Sequence, residues 1–291
     1  MRTLIGTAAM IATMLSSGAA AQTPCKSCKF EKVATCGGFL EGPSVDKSGR
    51  LRVVDFASGD VLEVSSGKCT RVANSGGRAN GSRLDSNDTL YLADALRGVL
   101  KMQKDGSFTV DIPAPAGPGQ QGANDLAFDR EGGLYYTVPG ASGYSNRVGK
   151  VYYRAIGKAP VEFATGLAFP NGIAVSDDGK YVYVGQFSDK TILAIPSVQN
   201  KDMLKGDYVL AHTSGGIGPD GMILDSKKRI IWANFASGSI GVAAPDGTVL
   251  GNIPLPQGAG TFVTNIAEHD GVYYITEAAK GEVWKLTGLA F

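Results

Sequence analysis

The stretch VDKSGRLRVVD, residues 45–55, contains the unit from which the fold can be worked out. A strand end runs into a tight Asp/Ser/Gly turn, and an alternating strand rich in β-branched residues follows, which is the signature of a β-hairpin. The pattern recurs along the chain as LDSNDTLYLAD (84–94), FDREGGLYYTV (128–138), VSDDGKYVYVG (175–185), LDSKKRIIWAN (224–234) and AEHDGVYYITE (267–277). Six hairpins spaced by about 40–50 residues predict an all-β, six-bladed β-propeller with roughly four strands per blade.

An oxygen-bearing side chain precedes an apolar run in each of the six units. These side chains, called the anchors below, are Glu41 (LEGP), Asn80 (RANG), Asn124 (GAND), Asn171 (FPNG), Asp220 (GPDG) and Asn265 (VTNI). The first strand of every blade lines the central channel of a propeller, so the anchors are expected to surround one axis. Any single Asn or Asp could be an ordinary turn residue, but Glu is not a turn former. Carboxylate and amide oxygens are ligands of a hard cation, so the pattern predicts a Ca²⁺ site built from Glu41, Asn124, Asn171 and Asp220.

Composition and charge limit the class of protein. The 40 glycines and 13 prolines punctuate strand-like segments, and no helical period of useful length appears. Lys and Arg number 28 against 27 for Asp and Glu, a net charge of +1 that provides no footprint for nucleic acid and no polybasic membrane patch. We therefore expect a monomer that binds a small molecule, with neither nucleic acid nor membrane as a partner.

The two ends of the chain carry further predictions. Residues 1–21 have an early Arg2, a short apolar run and the small-residue ending Ala19-Ala20-Ala21, which indicates a cleaved signal peptide and a periplasmic or secreted protein. Residues 22–291 are then one propeller domain. The last blade is one strand short at its C-terminal end, and residues 29–34 can supply that strand and remove the free sheet edges.

Four cysteines lie in the first quarter of the chain, at positions 25, 28, 36 and 69. An even number in an exported protein favours disulfides, and three connectivities are possible. Pairing Cys36 with Cys69 would tie the N-terminal strand to the end of blade 1 and leave Cys25–Cys28 as a local loop. A Cys28–Cys69 pair stays open.

Other catalytic arrangements have little support in the sequence. Only two histidines occur, neither is an anchor, and His212 fits a loop or the wall of a pocket. No G-x-S-x-G elbow for a serine nucleophile is present. Arg78, close to the anchor Asn80, could contact a substrate or pair with a surface acid, and the same alternatives hold for Arg83.

The motifs LEGP, AND, FPNG and GPDG, in this order, resemble the senescence marker protein/gluconolactonase/luciferin-regenerating enzyme family, which includes regucalcin and is related in fold to diisopropyl fluorophosphatase. The resemblance implies a six-bladed propeller that hydrolyses lactones with an axial divalent metal, either Ca²⁺ or Zn²⁺. It implies Glu41, Asn171 and Asp220 as metal ligands, and Asn124 as a fourth ligand or a substrate contact.

One position departs from the family pattern. Members that act on sugar lactones usually carry an Arg two residues before the Asn of the third motif, whereas this chain has Gly122. A glycine leaves space and no charge there, so the departure implies a less polar lactone or ester. The phenylalanines Phe39, Phe169, Phe187 and Phe235 are candidates for the lining of such a pocket.

These observations together predict a metal-dependent lactonase. Asp220 would act as general base or as nucleophile, with Asn80, Gly122, Arg78 and His212 as further substrate contacts. Ca²⁺ is favoured as the cofactor because every candidate ligand is an oxygen, and Zn²⁺ is the alternative. Two other functions remain open: a non-catalytic, calcium-stabilised binding propeller, and an esterase or phosphotriesterase on the same scaffold.

Overall fold

The structure is a computed structural model that describes residues 25–116, 121–200 and 206–291. Twenty-four strands form six four-stranded antiparallel sheets, which confirms the six-bladed propeller. The predicted signal peptide, residues 1–21, lies outside the described residues. None of the helices in the described ranges is long and apolar enough to cross a membrane.

The first three blades follow each other along the chain, each running from its inner to its outer strand. Blade 1 contains β2 (Leu40–Val45), β3 (Leu51–Asp55), β4 (Asp60–Ser65) and β5 (Lys68–Asn74). Blade 2 contains β6 (Ala79–Leu84), β7 (Leu90–Asp94), β8 (Gly98–Met102) and β9 (Phe108–Pro113). Blade 3 contains β10 (Leu126–Phe128), β11 (Leu134–Val138), β12 (Gly149–Arg154) and β13 (Val161–Leu167).

The other three blades repeat this order, with one short 3₁₀ helix at Phe187–Asp189. Blade 4 contains β14 (Pro170–Val175), β15 (Tyr181–Gln186), β16 (Thr191–Pro196) and β17 (Tyr208–His212). Blade 5 contains β18 (Gly218–Leu224), β19 (Ile230–Phe235), β20 (Ser239–Ala243) and β21 (Val249–Pro254). Blade 6 contains β22 (Val263–His269), β23 (Val272–Glu277) and β24 (Glu282–Thr287), and its outer strand is β1 (Lys29–Thr35).

The wheel closes through its N-terminal strand, as the sequence predicts. β1 pairs antiparallel with β24, and Lys29 lies opposite Thr287. A disulfide joins Cys36, just after β1, to Cys69 on β5, so it links blade 6 to blade 1. The second disulfide, Cys25–Cys28, forms the predicted local loop. Both predicted pairings are confirmed, and disulfides of this kind are typical of oxidising compartments.

The hydrophobic core lies between neighbouring blades. Trp232 of β19, for example, is fully buried in a cluster with Tyr183 of β15 and Met222 of β18. Buried hydroxyls also join the inner strands across blade boundaries. Ser82 Oγ donates to the carbonyl of Gly42 at 2.6 Å, and Thr264 Oγ1 donates to that of Leu40 at 2.7 Å. The inner strands are therefore held at fixed positions around the axis, which a site shared by several blades requires.

Candidate active site

The anchors occupy the predicted position at the start of each blade. Five of them lie within the first residues of β2, β6, β14, β18 and β22, and Asn124 lies two residues before β10. In these five blades the pairing of the inner strand with its neighbour shifts register close to the anchor, for example between Glu41 and Ser44. Such irregularities bend a strand and redirect its side chains.

Glycines directly after four of the anchors allow the inner strands to approach one another closely. They are Gly42, Gly81, Gly172 and Gly221. A Cβ on Gly172 would lie 2.4 Å from the carbonyl oxygen of Asp220, and one on Gly221 would lie 2.1 Å from the amide carbon of Asn265. A larger residue would force the blades apart, so the glycines keep the anchors of adjacent blades within reach of one another.

Five of the six anchors converge on one cavity of about 280 Å³ at the end of the channel where the inner strands begin. The anchors that line it are Glu41, Asn80, Asn124, Asn171 and Asp220. The sixth, Asn265, is buried beside Glu41, and its Oδ1 accepts a 2.8 Å hydrogen bond from the backbone N–H of Ile266. The structure thus brings together the four predicted metal ligands and two further predicted substrate contacts, Asn80 and Gly122.

One amide oxygen in this cavity lacks a partner. Asn124 Oδ1 is buried and accepts no hydrogen bond from any described residue. A buried acceptor without a donor costs about 1–3 kcal/mol, so such an atom calls for an explanation. A cation bound among Glu41, Asn124, Asn171 and Asp220 would satisfy it.

The donor set fits a hard divalent cation. It consists of two carboxylates and two amide oxygens, with a formal charge of −2 and no His or Cys, which suits Ca²⁺ and not Zn²⁺. The described residues contain no cluster of three or more His, Cys, Asp or Glu side chains that could hold a metal. Only two of the four candidate ligands, Glu41 and Asp220, are of these types, because asparagines provide the other oxygens.

The pKa values of the two acidic anchors also favour a bound cation. Burial raises the pKa of Glu41 well above its usual range, and the nearby charges of Asp220 and Asp125 raise it further. Burial also raises the pKa of Asp220, and repulsion from the Asp125 charge raises it further. A hydrogen bond from Asn171 lowers the pKa of Asp220 but does not cancel these effects. Carboxyl groups that repel one another in a dry site create a strong demand for a positive charge.

The third acid of this group, Asp125, is a site residue that the sequence reasoning did not single out. It follows Asn124, is completely buried, and forms an ion pair of 3.2 Å with the Nη2 of Arg83. Burial raises the pKa of Asp125 to about 6, although Arg83 opposes the change. The Arg83 guanidinium also donates to the backbone carbonyls of Ser82 and Met222, at 2.7 and 2.9 Å. This pair fills the channel beneath the cavity.

Arg83 separates the cavity from the opposite end of the channel. A second cavity of about 350 Å³ opens there, and its lining includes Arg83, Ser44 and Glu268 but none of the six anchors. The larger cavity is therefore not the one that holds the anchors, and the concentration of acids and amides identifies the smaller one as the candidate active site.

Aromatic rings form the wall above the anchors. Phe39, Phe169, Phe187 and Phe235 line the cavity, as the sequence predicts, and Phe56 joins them. Ring centroids are 5.6 Å apart for Phe169–Phe187 and 5.9 Å for Phe187–Phe235. Phe169 has a φ of +56°, a left-handed backbone that is costly for a bulky residue. Its position is fixed by a 3.0 Å hydrogen bond from its N–H to Ser142 Oγ.

Two of the predicted substrate contacts, Arg78 and His212, do not line the cavity. Arg78 is exposed at the rim, 5.7 Å from the ring centroid of Phe56. His212 does not reach the cavity: it is exposed on β17, the outermost strand of blade 4, opposite Thr191. The segment around His212 continues the sheet instead of forming a loop over the axis, so the structure does not place this residue with the other candidate site residues.

Gly122 lines the cavity, but not by leaving room for a side chain. A Cβ at this position would lie 2.3 Å from the carbonyl oxygen of Asp94, and its N–H donates to the carbonyl of Ala95 at 2.8 Å. The space expected at Gly122 is therefore absent. The close approach of blades 2 and 3 requires a glycine here, whatever the substrate.

The propeller and its ring of acidic and amide anchors agree with the family to which the sequence is matched. Residues 39–279 match the family model described as the SMP-30/gluconolactonase/LRE-like region, and the chain belongs to this family.

Several individual proteins are similar to this chain in sequence or in structure. The diisopropyl-fluorophosphatase of Loligo vulgaris is 29% identical over 248 residues, which cover 75% of this chain and 79% of the relative. Lactonase drp35 of Staphylococcus saprophyticus is 27% identical over 237 residues, covering 77% and 72%. Among solved structures, a gluconolactonase of Xanthomonas campestris has a TM-score of 0.76 at 22% identity and covers 92% of both chains.

Proposed function

We propose that this protein is a metal-dependent hydrolase that opens apolar lactones or cleaves related esters. The observation that carries the proposal is the buried, unpartnered Oδ1 of Asn124 next to two carboxylates, at the bottom of a cavity with an aromatic wall. Relatives named as a lactonase and as a diisopropyl-fluorophosphatase support hydrolysis on this scaffold.

The metal would be held by Glu41, Asn124, Asn171 and Asp220. When bound there, a divalent cation polarises a carbonyl or phosphoryl oxygen and stabilises the negative charge that develops on it. Ca²⁺ is the cation that the oxygen ligands favour.

The protein's own residues supply the remaining functions. The carboxylate of Asp220 either accepts the proton of an attacking water or attacks the substrate carbonyl carbon itself. The side chain of Asn80 is buried at the edge of the cavity, where its amide can donate a hydrogen bond that orients the substrate. The phenylalanine wall excludes water from the reacting groups.

The aromatic wall also supports an apolar substrate. A hydroxyl group that contacts Phe39, Phe187 or Phe235 would find no hydrogen-bond partner on these rings, at a cost of about 1–3 kcal/mol. We therefore expect kcat/KM for an alkyl- or aryl-substituted lactone to exceed that for gluconolactone by at least about tenfold, the ratio equivalent to 1.4 kcal/mol. The phenylalanine wall, and not Gly122, favours the apolar substrate.

The test is a panel of lactones, aryl esters and phosphotriesters, assayed with the calcium-loaded protein, after chelation, and after calcium is restored. The proposal expects activity that chelation removes and calcium restores. A preference for phosphotriesters would favour the second candidate, a phosphotriesterase, for which the 29% identity to the fluorophosphatase is the specific observation. No turnover of any substrate would favour a calcium-stabilised binding propeller.

A further inference from the structure

The end of the wheel that carries the cavity has a distinctive surface, which we call the cavity face. It is formed by the connections into the inner strands and by those that join the second strand of a blade to the third. The connections that bear exposed apolar or charged side chains are residues 75–78, 95–97, 139–148, 187–190, 213–217, 255–262 and 278–281.

Large apolar side chains on these connections point into solvent around the cavity. Leu96 is 61% exposed, Tyr144 73% and Ile217 52%, and Val148 and Phe262 are also exposed. Each belongs to a segment tied to the cavity wall. Leu96 follows the lining residue Ala95, the N–H of Ile217 donates to the carbonyl of Phe235 at 2.8 Å, and Phe262 stacks on Phe235 at 4.7 Å.

The turn around Leu96 is held rigidly. Asp94 Oδ1 accepts hydrogen bonds from the backbone N–H groups of Leu96 and Arg97, both at 2.9 Å. The leucine is therefore presented outward by a fixed turn, and an exposed apolar ring of this kind around a cavity marks an interaction surface.

The cavity face is also electropositive. The connections given above carry Arg78, Arg97, Arg147, Lys190 and Lys280, against a single acid, Asp189. Asp189 pairs with Arg147 at 2.7 Å. Arg78, Lys190 and Lys280 form no ion pair with an acid in the described part of the chain, and Lys190 donates to the carbonyl of Gly216, next to the exposed Ile217.

The opposite face carries exposed charges of both signs. Exposed acids occupy the hairpin turns there, at Asp105, Glu131, Asp177, Asp178, Asp246 and Asp270, and the same set of turns carries exposed cations, among them Lys104, Lys158, Lys180 and Lys228. The net charge of +1 is the sum over the whole chain. The sequence analysis predicted no membrane partner from the net charge alone. A net charge does not show how the charges are distributed between the faces of the fold.

We propose that the cavity face binds the surface of an anionic phospholipid bilayer. Apolar side chains interspersed with cations around an opening match such a surface, because acyl chains accept the former and lipid phosphates attract the latter. Docking in this way places the mouth of the cavity against the bilayer, where apolar molecules partition. The binding itself does not depend on the proposed hydrolysis, so the two proposals can fail separately.

The experiment is co-sedimentation of the mature protein, at a fixed free calcium concentration, with vesicles of phosphatidylglycerol plus phosphatidylcholine or of phosphatidylcholine alone. We expect binding to the anionic vesicles that falls with added salt. The double variant Lys190→Gln/Lys280→Gln should bind about tenfold or more weakly, since one interfacial cation contributes about fivefold. Leu96→Asp should weaken binding by at least about fivefold, because it places a charge where an apolar group enters the interface.

Ile156→Asp is the matched control, because Ile156 is 69% exposed in a turn of blade 3 on the opposite face. It should bind vesicles like the wild type, and Tyr144→Glu provides a second variant of the cavity face if Leu96→Asp folds poorly. Absence of binding to anionic vesicles, equal binding to neutral ones, or an equal loss in Ile156→Asp would overturn the proposal.

Discussion

The metal-free protein should lose stability as the pH rises from about 4 to about 7. Burial raises the pKa of Asp125 from 3.8 to about 6, and the pKa values of Glu41 and Asp220 also lie well above their usual range. The folded chain therefore holds these protons more tightly than the unfolded chain does. The stability gained in this way is complete below the unfolded pKa values and disappears as the pH passes through the folded ones.

A lower limit for the expected loss of stability can be calculated from Asp125 alone. A rise of about two pKa units corresponds to about 3 kcal/mol, lost between about pH 4 and pH 6, and Glu41 and Asp220 act in the same direction. At roughly 2–4 °C per kcal/mol for a chain of this size, Tm should fall by about 6–12 °C. Asp46 acts in the opposite sense. Although burial opposes the change, hydrogen bonds from Ser48 and Arg50 lower its pKa to about 2, so its contribution is lost only below about pH 4.

Thermal unfolding of chelator-treated protein at constant ionic strength, from about pH 4.5 to pH 7, measures the effect. Asp125→Asn should make the decline shallower, because the amide does not titrate. Saturating calcium should also flatten it, since a bound cation favours the ionised carboxylates. A metal-free stability that is constant or rises over this range would refute the account of the axial carboxyl groups.

Three further changes test single parts of the structure. Asp220→Asn keeps an oxygen ligand but removes the proton acceptor, so kcat for hydrolysis should fall by about 10² or more, and retained activity would refute the assigned role. Arg83→Met leaves the buried Asp125 charge without its partner, so denaturant unfolding should show a loss of about 3–5 kcal/mol. Most of that loss should be recovered in Arg83→Met/Asp125→Asn, and an equally unstable double variant would contradict the pairing. Removing the Cys36–Cys69 bond by Cys36→Ser/Cys69→Ser should lower the free energy of unfolding by about 3–4 kcal/mol, as expected for a disulfide that closes a 33-residue loop. An unchanged midpoint of denaturant unfolding would contradict a stabilising role of this disulfide.

Much of this arrangement could be predicted from the sequence because it repeats. The hairpin pattern fixed the number of blades, and the interval between anchors placed Glu41 and Asp220 at equivalent positions around one axis. The anchor position needed no knowledge of contacts between blades, since every first strand of a propeller faces the channel.

Features that depend on contacts between blades could not be predicted in the same way. The pairing of Asp125 with Arg83 joins blades 2 and 3, and neither residue is part of a repeated pattern. Gly122 is constrained by the backbone at Asp94, which a sequence does not reveal. His212 stands in a Gly-rich segment that looks like a loop, yet its backbone completes the edge of a sheet.

The most direct test of the axial cation site is calorimetric titration of chelator-treated protein with calcium, together with the change in Tm. The wild type should bind about one ion per chain and become more stable by mass action. Glu41→Gln, which removes one of the two ligand charges, should bind much more weakly, and Glu268→Gln at the other end of the channel should behave like the wild type. A wild type that neither binds calcium nor gains stability, or a Glu41→Gln variant with undiminished affinity, would contradict the site.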